Sequence, residues 1–213
     1  MGIIVSRVGN FFKYQGGFSM KSLKGTKTAE NLLKAFAGES QARNRYTYYA
    51  SVAKKEGYVQ ISNIFQETAD NEKEHAKRFF KFLVDDFHGE AINIQADYPV
   101  AFGDTRENLI AAAEGEHEEW SDLYPAFADV ADEEGFPAIA TAFRKIADAE
   151  VRHETRFRKL VANIDNDEVF KKSEPVLWKC NNCGYIHEGV EALKICPACI
   201  HPQAHFEVFA ETY

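Results

Sequence analysis

Residues 69–79 read ADNEKEHAKRF, and residues 147–157, which lie 78 positions later, read ADAEVRHETRF. Both copies contain the motif Glu-x-x-His, at Glu72/His75 and at Glu150/His153. Side chains three residues apart are neighbours on one face of a helix. Each copy can therefore offer a carboxylate and an imidazole to one metal ion from adjacent helical turns.

The repeat extends upstream of both motifs. Residues 56–58 match residues 134–136, and Gly38-Glu39 matches Gly115-Glu116. A third Glu-x-x-His, Glu114/His117, has no such match. Because Glu114 lies two residues from Glu116, about 200° around a helix, we interpret Glu114 and His117 as a solvated helix face. The chain contains a duplicated helical hairpin whose matching polar positions are of metal-ligand type.

Composition limits the classes of protein to consider. The 213 residues carry a net charge of −8, with 45% apolar and 27% charged residues, which is ordinary for one or two globular domains. The acidic balance argues against nucleic acid or an anionic membrane as a partner. No apolar run approaches the roughly 20 residues that a membrane span requires. We predict a cytoplasmic protein.

Residues 1–19 differ in character from the rest. Their apolar stretch is interrupted by Arg7, and no small-residue cleavage site follows, so the segment is a poor signal peptide. We predict a flexible extension, or an upstream start placed ahead of a natural Met20.

Helical periodicity predicts four long helices after Met20, over residues 28–56, 61–87, 104–135 and 138–163. Asp104 or Thr105 can cap the third helix. Pro125 should bend that helix, because proline removes one hydrogen bond of the ladder. Tight turns at Gly57 and Gly135 make helices one and two, and helices three and four, antiparallel hairpins.

The connection between the second and third helices is about 17 residues long, from 88 to 104, with no helical period. A connection of that length is unusual in a compact domain. It suits a crossover that runs the length of a bundle. Two hairpins and one crossover predict a ferritin-like four-helix bundle over residues 20–165.

The candidate ligands fall on all four predicted helices: Glu39 on the first, Glu72 and His75 on the second, Glu116 and Glu119 on the third, Glu150 and His153 on the fourth. Glutamates on two helices with Glu-x-x-His on the other two form the ligand set of di-iron and di-manganese carboxylate bundles. The alternative is that these are exposed glutamates on polar faces. Carboxylates with two imidazoles favour iron or manganese over structural zinc. Glu119 is one ligand more than this set requires.

All four cysteines lie in a C-terminal module, residues 166–213, as Cys180-x-x-Cys183 and Cys196-x-x-Cys199. This spacing predicts one tetrahedral tetrathiolate site. Disulfides are the disfavoured alternative. Spacing alone leaves zinc and iron open, with zinc favoured. An apolar jacket of Trp178, Tyr185, Ile186 and Phe206, and the need of the bundle irons for an electron source, shift the choice to iron.

With these motifs, the chain from Met20 to Tyr213 resembles the rubrerythrin family, in which a ferritin-like di-iron domain is fused to a rubredoxin-like domain. The stretches that carry the resemblance are residues 37–46 (AGESQARNRY), both repeated motifs, Gly115-Glu116-x-x-Glu119 and the two cysteine pairs. The implied fold is mainly α, with a small C-terminal rubredoxin-like β/knuckle domain.

The resemblance also implies roles for the ligands. Glu72 and Glu150 would bridge two irons, with Glu39 on the first iron and Glu116 and His153 on the second. On the first iron, Glu119 would exchange with His75 between the oxidised and reduced states. Two tyrosines, Tyr46 and Tyr124, would hydrogen-bond the carboxylates; the alternative is ordinary core aromatics. Ile200 is a departure, because a simple rubredoxin usually has glycine there, at a position that often needs a positive φ.

The implied function is a non-haem di-iron peroxidase that reduces hydrogen peroxide to water in oxidative-stress defence. An external electron donor, a reductase or a rubredoxin, would supply electrons through the Fe(Cys)4 centre. A head-to-tail homodimer, in which the 88–104 connection is a place for helix exchange, would bring the two kinds of site together. Two alternatives stay open: a ferroxidase or iron-handling protein, and a non-enzymatic redox sensor or carrier with zinc in the cysteine site.

Overall fold

The computed structural model describes residues 21–212. Its helices are α1 (Lys27–Lys55), α2 (Val59–Phe87), α3 (Thr105–Glu118), α4 (Tyr124–Glu133) and α5 (Pro137–Asp165), and its strands are β1 (Lys171–Cys180), β2 (Ile186–Glu191) and β3 (Phe206–Val208). The prediction of a four-helix bundle followed by a small β domain is confirmed. The predictions about residues 1–19 and Met20 lie outside the described residues.

Local signals in the sequence set the ends of the helices. The Thr26 hydroxyl accepts a hydrogen bond from the Ala29 N–H at 3.1 Å and caps α1. Asp104, rather than Thr105, caps α3, in a reciprocal capping box with Glu107. The two hairpin turns pass through Gly57 and Gly135, with φ values of 89° and 78° that favour glycine.

The predicted third helix over residues 104–135 is confirmed, but it contains a π turn that the sequence analysis did not predict. Residues 104–135 form α3, then a π-helical turn over Glu119–Leu123, then α4. The Tyr124 N–H donates to the Glu119 carbonyl, five residues back. Pro125 therefore lies in the first turn of a new helix, where its missing N–H costs little. The irregularity comes from the turn that precedes Pro125.

Two apolar clusters fill the bundle above and below its middle. Buried phenylalanines lie two helical turns before and after each repeated motif: Phe65 and Phe79 around Glu72, Phe143 and Phe157 around Glu150. The two clusters therefore enclose one polar layer.

The crossover runs along α1, as predicted. The Tyr98 hydroxyl donates to the Lys34 carbonyl at 2.9 Å, and the Tyr49 hydroxyl donates to the Ala101 carbonyl at 2.7 Å. These contacts attach the connection to α1 at points 15 residues apart, which is about 22 Å of helix. No helix in the described part of the chain has both the length and the apolar character needed to cross a bilayer.

The C-terminal module is a three-stranded antiparallel sheet in the order β2-β1-β3. Trp178 and Phe206 are fully buried in it, but Tyr185 and Ile186 are 37% and 41% exposed. The predicted apolar jacket is therefore only half correct, because two of its members face outward from the sheet. The module lies at the α1–α2 turn, where the Tyr58 ring stacks on Phe170 at a centroid distance of 6.2 Å.

Candidate metal centres

The polar layer of the bundle contains two overlapping groups of potential metal ligands. One group is Glu39, Glu72, His75 and Glu150, and the other is Glu72, Glu116, Glu150 and His153. Within each group the ligand atoms lie within 4.8 Å of one another. Glu72 and Glu150 belong to both groups, so the layer has the donor arrangement of two ions that share two carboxylates.

Each histidine points its Nδ1 atom at the shared carboxylates. His75 Nδ1 lies 3.0 Å from Glu72 Oε2 and 2.9 Å from Glu150 Oε1. His153 Nδ1 lies 2.7 Å from Glu150 Oε2 and 3.1 Å from Glu72 Oε1. The duplicated hairpins thus present their imidazoles to the same pair of carboxylates from two sides.

The layer has polar atoms that the protein itself leaves without partners. Six buried atoms have no well-directed hydrogen bond within residues 21–212, although several of them lie close to an Nδ1 atom of His75 or His153: Glu39 Oε2, Glu72 Oε1, Glu116 Oε2, both Oε atoms of Glu150, and His153 Nδ1. Each unsatisfied buried group costs about 1–3 kcal/mol, and more when it is charged. Divalent cations bound among these atoms would remove that cost, so the residues fit a two-metal site.

Burial and repulsion act differently on the carboxylates of the layer. Burial, reinforced by repulsion from acidic neighbours, raises the pKa of Glu39 well above its usual range. Burial and repulsion from Glu72 have the same effect on the pKa of Glu116. For Glu72, burial is outweighed by hydrogen bonds with His153 and His75, which lower its pKa to about 2.

The imidazoles show the opposite response. Burial opposes their protonation, but close ionic contacts with Glu150 and Glu72 raise the pKa of His75 to about 10. The corresponding contacts of His153, which include Glu116, raise its pKa to about 12. Without metal the layer therefore holds protons on its imidazoles, and metal ions must displace them.

Two tyrosines connect the two halves of the bundle. The Tyr46 hydroxyl donates to Glu116 Oε1 and the Tyr124 hydroxyl donates to Glu39 Oε1, each at 2.5 Å. Both rings are fully buried. Each tyrosine fixes the outer carboxylate that the other hairpin contributes, while the second oxygen of that carboxylate stays free to bind metal.

The π turn places Tyr124 in this position. Glu39 and Tyr46 are seven residues apart, which is two helical turns, but Glu116 and Tyr124 are eight residues apart. The π turn takes up the extra residue, so that Tyr124 is buried and Leu123 is exposed. The same extra residue explains why Glu39 and Glu72 are 33 residues apart, whereas Glu116 and Glu150 are 34 residues apart. Single-turn π segments occur frequently at functional sites.

Glu119 opens the π turn and belongs to neither ligand group among the described residues. Its Oε1 atom points toward α1, 3.8 Å from where a β-carbon on Gly38 would lie. Burial and repulsion from Glu116 and Glu150 raise its pKa well above the usual range. The structure therefore places Glu119 beside the layer, with its predicted exchange on the first iron still a prediction.

The unmatched third motif lies away from the layer. Glu114 pairs with Arg158 at 3.1 Å, and His117 Nδ1 lies 3.2 Å from Glu154. Both Glu114 and His117 are exposed, in agreement with their interpretation as surface residues.

Arg45 lies beside Glu119 in the lining of one cavity, but the sequence analysis did not single it out. Arg45 is seven residues from Gly38, so both lie on one face of α1, and this spacing could have indicated that Arg45 faces the metal layer.

The four cysteine sulfurs converge on a point in the C-terminal module. Cys180 and Cys199 Sγ lie 3.7 Å apart, and Cys183 and Cys196 Sγ also lie 3.7 Å apart. A disulfide would need about 2.05 Å, whereas a tetrahedron with metal–sulfur bonds of about 2.3 Å has edges near 3.8 Å. The geometry is that of a tetrathiolate metal site.

The two knuckles of this site have matching backbone geometry. The Gly184 N–H donates to the Cys180 carbonyl at 2.8 Å, and the Ile200 N–H donates to the Cys196 carbonyl at 2.9 Å. Gly184 has a φ of 78°, and Ile200 has a φ of 61°. The prediction that Ile200 occupies a glycine-type position is confirmed.

Fold and sites together define a ferritin-like di-iron carboxylate protein with a rubredoxin-like tetrathiolate domain. The family model "Rubrerythrin" matches residues 30–161, and the model "Rubrerythrin, rubredoxin-like domain" matches residues 178–207. The chain belongs to the rubrerythrin family. The family binds iron, and the two ligand groups of the bundle and the four cysteines are the metal sites of this chain.

Individual relatives agree with this assignment. Rubrerythrin of Clostridium perfringens is 70% identical over 195 residues, covering 91% of this chain and 100% of the relative. Rubrerythrin of Nitratidesulfovibrio vulgaris is 55% identical over 190 residues, covering 89% and 97%. A structure of nigerythrin in a partially reduced state matches with 30% identity and a TM-score of 0.59, covering 96% of this chain and 100% of that one.

Proposed function

We propose that this chain reduces hydrogen peroxide to water, with electrons relayed to the bundle irons from the tetrathiolate iron. The observation that carries the proposal is the combination, on one chain, of two ligand groups sharing Glu72 and Glu150 with a four-cysteine site. A two-metal layer can hold two electrons, and a single-iron site can return them one at a time. Each hydrogen peroxide takes up two electrons and two protons and leaves as two water molecules.

When bound, the two ferrous ions would supply the electrons and act as Lewis acids toward the peroxide oxygens. The protein residues hold these ions in place. Glu72 and Glu150 would hold both ions, because both ligand groups share them. Tyr46 and Tyr124 keep the outer carboxylates oriented. We propose that Glu119 is the spare ligand that joins the first iron when its charge rises.

The path of the electrons supports a dimer. The cysteine module contacts the α1–α2 turn, where a β-carbon built on Gly57 would lie 3.8 Å from the Ala204 β-carbon. Glu72 lies 13 residues along α2 from its first residue, Val59, which is about 20 Å at 1.5 Å per residue. Within one chain the two sites are therefore far apart. We propose a head-to-tail homodimer that brings one subunit's cysteine site close to the other's bundle site, with a rubredoxin or a reductase as the external donor.

The test uses the iron-loaded, full-length protein. After complete anaerobic reduction, each chain holds three ferrous irons, so 1.5 equivalents of hydrogen peroxide balance their three electrons. The visible ferric-thiolate band should return promptly in a stopped-flow measurement. In the variant Glu72→Ala/His75→Ala it should return at least about a hundredfold more slowly, because metal-site changes of this kind cost one to two orders of magnitude or more.

The matched control is Glu114→Ala/His117→Ala, which removes the same residue types from the unmatched motif and should behave like the unmodified chain. Return of the band at one rate in all three proteins would mean that peroxide oxidises the cysteine site directly. A chain with iron in the bundle but no ferric-thiolate band in any state would mean zinc in the cysteine site. Either result would overturn the proposed relay.

A further inference from the structure

A cavity of about 320 Å³ lies between α1, the crossover and the π turn. Its walls include Gly38, Gln41 and Arg45 from α1, residues 95–99 from the crossover, and Glu119. The cavity thus reaches from the surface to the carboxylate that stands beside the metal layer. Arg45, the arginine of this cavity, belongs to neither metal-ligand group.

The two glycines of the repeat leave room for the charged side chains that line this cavity. Gly38 and Gly115 each precede an outer glutamate of the metal layer. The space of a β-carbon on Gly38 is approached by Glu119 Oε1 at 3.8 Å, and that on Gly115 by Arg45 Nη2 at 3.7 Å. At equivalent positions of the two halves, a carboxylate therefore lies over one glycine and a guanidinium over the other, and both line the same cavity.

Arg45 is held in place but incompletely paired. Its Nε donates to Gln41 Oε1 at 2.6 Å, and its guanidinium lies 5.8 Å from the centre of the Tyr46 ring. Its Nη1 atom is buried and has no hydrogen-bond partner anywhere in residues 21–212. A buried N–H without an acceptor is unfavourable, and more so in a charged group. This nitrogen is therefore available to a carboxylate that moves.

Glu119 is the acid that matches this nitrogen. Three acids line the cavity, and two of them, Asp97 and Glu118, are exposed and need no partner. Glu119 is half-buried, and its Oε1 atom lies 3.8 Å from the β-carbon position of Gly38, in the cavity that Arg45 also lines. Of the three acids, Glu119 is therefore the one whose ionised form a nearby cation stabilises most.

We propose that Arg45 is a positioning residue for Glu119. Its guanidinium attracts the Glu119 carboxylate away from the metal layer, across the cavity that both residues line, and so sets how readily Glu119 becomes a ligand. The inference rests on the proposed function, because it assumes that Glu119 exchanges on the first ion. Arginine suits this role better than lysine, since its planar fork can engage a carboxylate with two parallel hydrogen bonds while Nε stays on Gln41.

The test measures metal binding and does not depend on peroxide turnover. In the full-length protein the cysteine site is first filled with zinc, which is spectroscopically silent and preferred by thiolates over cobalt. The metal-free bundle is then titrated with Co²⁺, and the visible d–d bands report affinity and coordination number. Four proteins form a double-mutant cycle: the unmodified chain, Arg45→Met, Glu119→Gln and the double variant.

We expect Arg45→Met to lower the Co²⁺ dissociation constant about tenfold more when Glu119 is present than in the Glu119→Gln background, a typical coupling between neighbouring residues. The absorbance per bound Co²⁺ should fall as the released carboxylate adds a ligand. Loss of a positive charge by itself tightens cation binding in both backgrounds, so it cancels in the cycle. Arg45→Lys, which keeps the charge and loses the fork, should be intermediate.

Lys34, the other basic residue of the cavity, supplies the matched control. Lys34→Met should change affinity equally with and without Glu119. Equal effects of Arg45→Met in both backgrounds, coupling of the opposite sign, or coupling of the same size from Lys34→Met would each overturn the proposal. Arg45→Gln replaces Arg45→Met if circular dichroism shows that the methionine variant is unfolded.

The cobalt titration and the peroxide-driven reoxidation test the role of Arg45 and the proposed function separately. Absence of coupling with intact peroxide-driven reoxidation would reject the role of Arg45 alone. Coupling without reoxidation would leave Arg45 positioning Glu119 in a metal protein of another activity.

Discussion

The two halves of the bundle contribute equivalent residues to the metal layer, but they differ at one position beside it. Three residues after Glu39 the first half has Ala42, which is buried in an apolar cluster. Three residues after Glu116 the second half has Glu119, at the start of a π turn. A duplication can thus keep its ligands in register while one position becomes an additional carboxylate.

A similar asymmetry occurs in the cysteine module. The two knuckles have the same backbone hydrogen bond, but glycine occupies the positive-φ position of one and isoleucine that of the other. In both modules the ligands obey the repeat and a neighbouring residue departs from it. The ligands are constrained by the metal geometry, whereas the residues beside them are free to differ.

Removal of a ligand that both halves share should have the largest effect. Glu150→Ala takes one carboxylate from both groups, so we expect loss of the two-iron stoichiometry and at least about a hundredfold weaker metal binding. Iron analysis and Co²⁺ titration check this result. Glu114→Ala is the control at an exposed acid, and equal metal binding by the two variants would contradict a shared ligand.

Replacing the additional carboxylate should make the second half resemble the first. In Glu119→Ala both four-ligand groups remain, so iron content should stay at two ions per bundle. Peroxide-driven reoxidation should slow by on the order of tenfold, because in the proposed mechanism the first iron would lose its exchanging ligand. Stopped-flow kinetics with parallel iron analysis separate the two quantities. Loss of iron to the extent seen in Glu150→Ala would show that Glu119 is an ordinary structural ligand.

The pH dependence of metal binding tests whether the halves are equivalent without metal. The pKa values of about 10 for His75 and 12 for His153 mean that both imidazoles carry a proton at pH 7. Each ion must displace one, so affinity should rise at least about tenfold per pH unit between pH 6 and 8. Co²⁺ titrations at three pH values measure the slope for each ion. A pH-independent affinity for either ion would exclude a protonated imidazole in that half.

The same raised pKa values predict how the metal-free fold responds to alkali. Protonated imidazoles paired with carboxylates stabilise the folded state, and this contribution is complete below the ordinary histidine pKa of 6.5. It is lost as the pH rises through about 10 to 12, the pKa values of His75 and His153 in the folded protein. Urea unfolding of the metal-free protein at pH 7 and pH 11 measures the loss.

Deletion of Asp122 should remove the π turn and make the two halves equal in length. Tyr124 would then lie seven residues after Glu116, as Tyr46 does after Glu39. We expect the deletion to lower the free energy of unfolding by about 3 kcal/mol, because Pro125 would then lie in the interior of a regular helix. Urea unfolding measures the change. Deletion of exposed Arg43 in the regular α1 is the control, and it should be far more damaging because it rotates every later residue by about 100°.

The smallest effect is expected at the knuckles. Ile200→Gly removes a β-branched residue from the left-handed region and should stabilise the metal-loaded module by about 1 kcal/mol. Its side chain is 73% exposed, so little packing is lost. Gly184→Ala makes the converse change in the other knuckle and should destabilise it by a similar amount. Urea unfolding followed at the ferric-thiolate band measures the stability of both variants. Changes of the same sign in the two variants would contradict the equivalence of the two positive-φ positions.

Much of the fold could be predicted because its signals are local. Helical periodicity, the glycine turns and the long connection predicted the bundle, and the ends of α1, α2 and α5 fell within two residues of the prediction. The π turn was missed because it depends on a mismatch between distant segments. The sequence shows that the paired glutamates are 33 residues apart in one hairpin and 34 in the other. This difference indicates an extra residue only once both hairpins are known to face one metal layer.

The sequence by itself determined the ligands, since residue type and helical spacing decide which side chains share a face, and cysteine spacing decides the tetrathiolate site. Tertiary structure decided how they are combined: that Glu72 and Glu150 serve both groups, that each tyrosine reaches the opposite half, and that Arg45 and Glu119 line one cavity. These relations depend on distances between helices that are far apart in the chain. Packing of the two phenylalanine clusters sets those distances, and no local pattern encodes them.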